Sequence, residues 1–175
     1  PAAASEALES VLTGDEAAPD DVTRFCVHKR VIVGNDARCL VPASAFDPTS
    51  QVATHQWRVY VRAPPPGISR RPDQLGRWIR RVRFFLHPSY APDTVVDVDA
   101  EPFELRRDAA AVGEFPVRVQ LHFWDAARNP PFDVIHHVRM YHALTARTVG
   151  GPERLYEIEL DRQTDFSAYL GGSSS

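Results

Sequence analysis

The side chains of this chain that could hold a metal or move a proton are seven histidines, two cysteines and 23 acidic residues. Their spacing argues against most such uses. His136 and His137 are neighbours, and neighbouring residues of a strand project to opposite faces, so the pair cannot ligate one ion without a bulge. Cys26 and Cys39 are thirteen apart with no partner pair, and no HExxH, CxxC or CxxH spacing occurs. No metal and no cofactor are expected. His55, His87 and His122 read as half-buried imidazoles held by a hydrogen bond. There is no GxSxG elbow and no glycine-rich phosphate loop. Ser89 stands two residues after His87, so the two share a side at a strand end, but their Pro-rich, aromatic setting (HPSY) suits a binding loop better than a catalytic dyad. The expected work is recognition, and the chain is expected not to be an enzyme.

A second group is basic. Arg70, Arg71, Arg77, Arg80, Arg81 and Arg83 cluster around Trp78, interrupted by Asp73. All 20 basic residues but Lys29 are arginine, the side chain that grips phosphate bidentately. Weak DNA contact through Arg70, Arg71, Arg77, Arg80 and Arg81, with an aromatic ring for stacking, is one reading. A charged strand edge that blocks unwanted pairing is the other. The net charge of −3 lacks the strongly basic balance of a domain built for nucleic acid.

The elements that must carry these residues are strands. The chain has 175 residues, 43% hydrophobic and 25% charged, in the range of a single globular domain. No apolar run approaches the ~18 residues of a membrane span, so no membrane partner is expected. Residues 1–20 are rich in Ala and acid, without Lys or Arg, and read as an arm, helical around Leu8, Val11 and Leu12 or disordered, and not as a targeting signal. Residues 21–162 read as the domain and 163–175 as a tail ending in GGSSS. A strand through Val27–Val33 is expected to end at Gly34-Asn35-Asp36. THQWRVYVRA alternates strictly, with His55, Trp57, Val59 and Val61 on one face. WIRRVRFFLHPS, Val95–Val98, Glu104–Arg107, FPVRVQLHFWD, DVIHHVRMYHAL and RLYEIELDR complete seven to eight strands. This predicts an all-β antiparallel sandwich with a short accessory helix. The predicted core is Val59, Val61, Phe84, Leu86, Val117, Val119, Leu121, Phe123, Val138 and Met140.

Four ordered blocks then give a resemblance: THQWRVYVRA (54–63), VRFFLHPSY (82–90), EPFEL (101–105) and GEFPVRVQLHFWD (113–125). In order and spacing, across about residues 22–145, they resemble the YEATS family. FFLHPSY, GEFPVRV and the upstream VGN are most similar to the branch found in ATAC-type histone acetyltransferase complexes. The resemblance implies an immunoglobulin-like sandwich. It implies a nuclear chromatin reader that binds acetyl- or crotonyl-lysine on histone tails within a histone-modifying or transcription complex. It places the pocket at His87, Ser89 and Tyr90, Val112, Gly113, Glu114 and Phe115, with an edge at Ala53, Thr54, His55 and His137.

The chemistry of such a pocket follows from its ligand. Acylation removes the lysine charge and leaves a planar amide, one donor and one acceptor, on an apolar chain. A reader must bury the chain and satisfy the amide. Aromatic faces do the first, and a hydroxyl and backbone N–H groups do the second. Here the chain departs from the family, which has an aromatic residue immediately before the Gly of GEFP. This chain has Val112, after Asp108-Ala109-Ala110-Ala111, in a loop about two residues longer. Losing that ring is worth roughly 0.5–1.5 kcal/mol of stacking and ~1–3 kcal/mol of buried area. An atypical pocket is therefore expected, alongside the alternative of a scaffold subunit that no longer binds acyl-lysine.

Overall fold

The computed structural model describes residues 21–22, 26–41, 53–67, 73–109, 113–140 and 147–167. They form β1 (Asp21–Val22), β2 (Cys26–Cys39), β3 (His55–Arg62), β4 (Ile79–Phe85), β5 (Val95–Val98), β6 (Phe103–Ala109), β7 (Glu114–Phe123), β8 (Phe132–Arg139) and β9 (Val149–Asp161). Two 3-10 turns, Leu75–Arg77 and Pro88–Tyr90, lie between the strands. The expected arm at residues 1–20 lies outside the described residues.

Two antiparallel sheets pack face to face. Sheet A runs β9-β2-β3-β6, with β1 on the first residues of β2. Sheet B runs β5-β4-β7-β8. The cause is visible strand by strand. In β3, His55, Trp57, Val59 and Val61 are buried and the residues between them are not. In β7, Val117, Val119, Leu121 and Phe123 turn inward and Glu114, Pro116, Arg118, Gln120 and His122 turn out. All ten residues of the predicted core are buried, joined by Val31, Val33, Trp78, Ile158 and Leu160.

One expectation is corrected. The strand does not end at Gly34-Asn35-Asp36; β2 continues to Cys39, paired with β3 through His55. The three residues form a bulge, seen as a register shift against β9 between Gly34 and Asp36. Packing requires the glycine: a Cβ on Gly34 would sit 2.7 Å from Tyr60 Oη and 2.8 Å from Glu153 Cγ. The bulge turns Asn35 into the interior, where it is fully buried. His136 Nε2 donates to Asn35 Oδ1 at 2.9 Å, and Asn35 Nδ2 donates to the Arg139 carbonyl at 2.9 Å. This amide ties β2 of sheet A to β8 of sheet B. Gly151 of β9 lies against it, and a side chain there would collide with Asn35 and the Arg139 carbonyl.

The boundary expected after residue 162 falls inside packed structure. Asp165 N–H donates to Asp125 Oδ2 at 3.1 Å, and Phe166 packs on the core beneath Lys29.

Candidate functional site

The topology gathers the connections β2–β3, β4–β5, β6–β7 and β8–β9 at one end of the sandwich, because β2, β4, β6 and β8 all finish there. His87, Ser89 and Tyr90 lie in the β4–β5 connection. Proline at the first position of the Pro88–Tyr90 turn leaves no N–H to satisfy. His87 caps the turn: Nδ1 accepts the Ser89 N–H at 3.1 Å and lies 2.9 Å from Ser89 Oγ. The imidazole is thereby the Nε2–H tautomer, and the Ser89 hydroxyl, exposed to solvent, keeps lone pairs for an outside donor.

Tyr90 is half-buried, and its ring is held by an indole. Trp57 Nε1 donates to Tyr90 Oη at 2.9 Å, and the two rings meet edge to face with centroids 5.9 Å apart. Phe115 contacts the same indole, centroids 5.2 Å apart. Trp57 is fully buried, so it fixes both neighbours from below. Accepting from Trp57 leaves the Tyr90 hydroxyl its own proton to donate. Sequence reasoning placed Trp57 on the inner face and missed this role. The available signal was that a buried indole N–H needs an acceptor.

The start of β3 borders the same end. Leu40 N–H donates to the Thr54 carbonyl at 2.8 Å, and Thr54 N–H to the Ala109 carbonyl at 2.9 Å. Thr54 Oγ1 and His55 Nδ1, both buried, lie 2.7 Å apart. Ala53 is half-buried beside them. Gly113 is exposed, with its carbonyl accepting the Met140 N–H at 3.3 Å. Val112 lies outside the described residues.

Two expected pocket residues stand elsewhere. Glu114 is on the outer face of sheet B, where Arg139 Nε donates to it at 2.8 Å. His137 is also outside, exposed and opposite Pro116. The period of two puts both on the face opposite Phe115 and Val138.

The arginine cluster divides. Arg81 pairs with Asp99 at 2.6 Å and Asp97 at 3.2 Å, and Arg83 with Asp97 at 2.7 Å. Arg80 lies over the Trp124 ring, 5.8 Å from its centroid, and Arg77 is exposed. Arg70 and Arg71 lie outside the described residues. Trp78 is not a free stacking surface: it is buried, stacked on Phe123 at 6.1 Å, with Nε1 donating to Asp73. Among the described residues the cluster is thus partly neutralised, and the Trp78 ring is not available for base stacking.

A groove of about 320 Å³ lies on the outer face of sheet A, lined by Arg58, Tyr60, Arg62, Phe103, Glu104 and Glu153 among others. Its charges satisfy each other. Arg58 bridges Asp36 and Glu104, and Glu153 accepts from Tyr60 and Arg62. Burial and the Glu153 carboxylate push the Tyr60 phenol up to about 12. The groove does not include Trp57, Tyr90 or Phe115.

Known proteins share the family and the fold. A profile of the YEATS family matches residues 52–142. The chain is 33% identical over 121 residues to Protein AF-9 homolog of Eremothecium gossypii, covering 69% of this chain and 53% of that protein. It is 30% identical over 92 residues to Transcription initiation factor TFIID subunit 14b of Arabidopsis thaliana, covering 53% of this chain and 31% of that protein. The chain therefore spans about half or less of the length of these relatives. Its fold superposes on the crystal structure of the yeast AF-9 homolog protein Yaf9 with a TM-score of 0.63 at 25% identity, covering 87% of this chain and 92% of that one. The Yaf9 YEATS domain bound to H3K27ac gives a TM-score of 0.63 at 26% identity, covering 86% and 96%. With the family profile across more than half its length and the same two-sheet architecture, the chain belongs to the YEATS family.

Proposed function

We propose that this chain is a chromatin reader domain that binds acylated lysine on histone tails, acting in the nucleus within a histone-modifying or transcription complex. The observation that carries the reading is the Tyr90 ring. It is held edge-on by Trp57 at the loop end, next to an exposed Ser89 hydroxyl oriented by His87. One aromatic wall and one hydrogen-bonding hydroxyl are half of what an acyl amide needs. A relative of the same fold is known bound to an acetylated histone peptide. The Ala53–Thr54–His55 edge and the Gly113 backbone complete the rim, and the residue before Gly113 in the sequence is the aliphatic Val112. Glu114 and His137 act only through the backbone and strand they belong to. The resemblance to the ATAC branch rests on the sequence blocks alone; the relatives described above are AF-9 homologues and a TFIID subunit.

Val112 favours a second reading, a YEATS scaffold that binds partner subunits and no acyl group. One titration separates the two. Acetyl-, crotonyl- and unmodified-lysine histone peptides are added to the native chain and to Val112→Trp. The reader binds acylated over unmodified peptide, and Val112→Trp tightens that binding at least ~10-fold through the regained ring. Binding by Val112→Trp alone assigns the native chain to the scaffold class. Equal affinity for acylated and unmodified peptides in both forms overturns the pocket itself. The remaining alternative, DNA contact, rests on the exposed Arg77 and Arg80, and a salt-independent DNA affinity removes it.

A further inference from the structure

A cluster of ligand-type side chains stands on the outer face of sheet A, near the end opposite the loops. There Cys26, His28 and Glu159 bring a thiol, an imidazole nitrogen and a carboxylate within 4.8 Å of one another. Cys26 and His28 are two apart on β2 and share its outer face. Glu159 is the cross-strand partner of His28 on β9. Cys26 Sγ lies 3.2 Å from His28 Nε2, and His28 Nδ1 lies 3.1 Å from Glu157 Oε1. A carboxylate only accepts, so Nδ1 carries the proton and Nε2 turns its lone pair toward Cys26. Metal-binding imidazoles are commonly fixed by a carboxylate in this way. Cys26 and His28 are half-buried and Glu159 is exposed, which leaves a path for an ion.

We propose that Cys26, His28 and Glu159 bind a divalent cation of the zinc class, with Glu157 positioning His28 and solvent filling the fourth position. Around tetrahedral zinc, with Zn–S of ~2.3 Å and Zn–N of ~2.0–2.1 Å, sulfur and nitrogen stand roughly 3.5 Å apart. The present 3.2 Å separation needs only a small opening. Thiolate and imidazole select zinc over magnesium or calcium. On binding, the Zn–S bond replaces the S–H bond of Cys26 and the proton leaves to solvent, with no change in oxidation state. Arg30, 3.3 Å from the second Glu157 oxygen, holds that carboxylate in place. The ion would clamp β2 to β9 and stabilise the fold by mass action.

The test uses the full chain, stripped with chelator under reducing conditions and titrated with Co2+ and then Zn2+. One equivalent of Co2+ is expected to produce a thiolate-to-cobalt charge-transfer band, displaced by Zn2+ and unaffected by Mg2+. Cys26→Ser and His28→Gln abolish the band and the Zn2+-induced rise in Tm. Cys39→Ser, at the other end of β2, keeps both. Glu157→Gln weakens Zn2+ about 10–100-fold while retaining the band. Circular dichroism verifies that each variant is folded. Absence of the band in the native chain, or its survival in folded Cys26→Ser or His28→Gln, overturns the site.

Discussion

Among the hydrogen bonds that reach from sheet A to sheet B and its connections, two differ in what lies beyond them. Asn35 reaches from β2 to His136 and the Arg139 carbonyl, with Asn35 and His136 both buried. Trp57 reaches from β3 to Tyr90, which is half in solvent. The first is closed on all sides, so its whole value is to the fold. The second anchors a ring that is partly open to solvent. A polar group buried in a sandwich can lock the structure or aim a surface, and exposure of the partner decides which.

Breaking the closed tie has the largest effect. Asn35→Leu strands the His136 N–H and the Arg139 carbonyl, about 1–3 kcal/mol each, so unfolding free energy drops by about 2–6 kcal/mol in urea titrations. A loss under ~1 kcal/mol would mean the interior accommodates those groups otherwise. Peptide affinity of the remaining folded protein stays at the native level. Breaking the open tie does the reverse. Tyr90→Ala lowers acyl-peptide affinity at least ~10-fold, from lost stacking and area, with a smaller stability loss than Asn35→Leu. Trp57→Phe keeps the ring contact but releases the Tyr90 hydroxyl, and calorimetric titration should show a weaker affinity loss than Tyr90→Ala.

Acid sharpens the same contrast. Burial, then the adjacent His137, holds the His136 imidazole below its ordinary value of 6.5. The unfolded chain protonates first, so this stability is complete above about pH 6.5 and is lost progressively as pH falls below it. His122, lowered by burial and by Arg83 and Arg81, contributes in the same direction. Asp97, held down by Arg83, and Asp133, held down by Arg118, sit below the usual 3.8 and add a second loss starting near there. Urea midpoints from pH 7 to 5 should fall, and His136→Gln, which keeps an amide N–H for Asn35, should flatten the slope. An unchanged slope would place the proton uptake elsewhere. The smallest effect belongs to the exposed ties: Arg83→Ala should leave the midpoint within error, as solvent-screened pairs do.

Much of this was legible in the chain itself. Strict alternation in THQWRVYVRA and FPVRVQLHFWD named the buried face of β3 and β7, because a period of two has one inside. The HPSY and EFP blocks named Tyr90 and Phe115. The Gly34-Asn35-Asp36 bulge was not legible, since those residues mark turns locally and only the pairing of β2 with β3 and β9 overrides that signal. Trp78 looked like a platform because composition does not reveal depth. Glu114 and His137 were assigned by motif although their parity already pointed outward. The Cys26–His28–Glu159 group escaped for a different reason: zinc spacings are read along the chain, and Glu159 joins the two only through the register of β2 against β9.

β2, β4, β6 and β8 all finish at one end, while Asp161 pairs with Cys26, the first residue of β2, near the other. Arg128, exposed in the turn between β7 and β8, stands at that second end. A handle grafted there presents Tyr90 outward, like a probe on a cord, and the domain can be immobilised from that side without covering the ring.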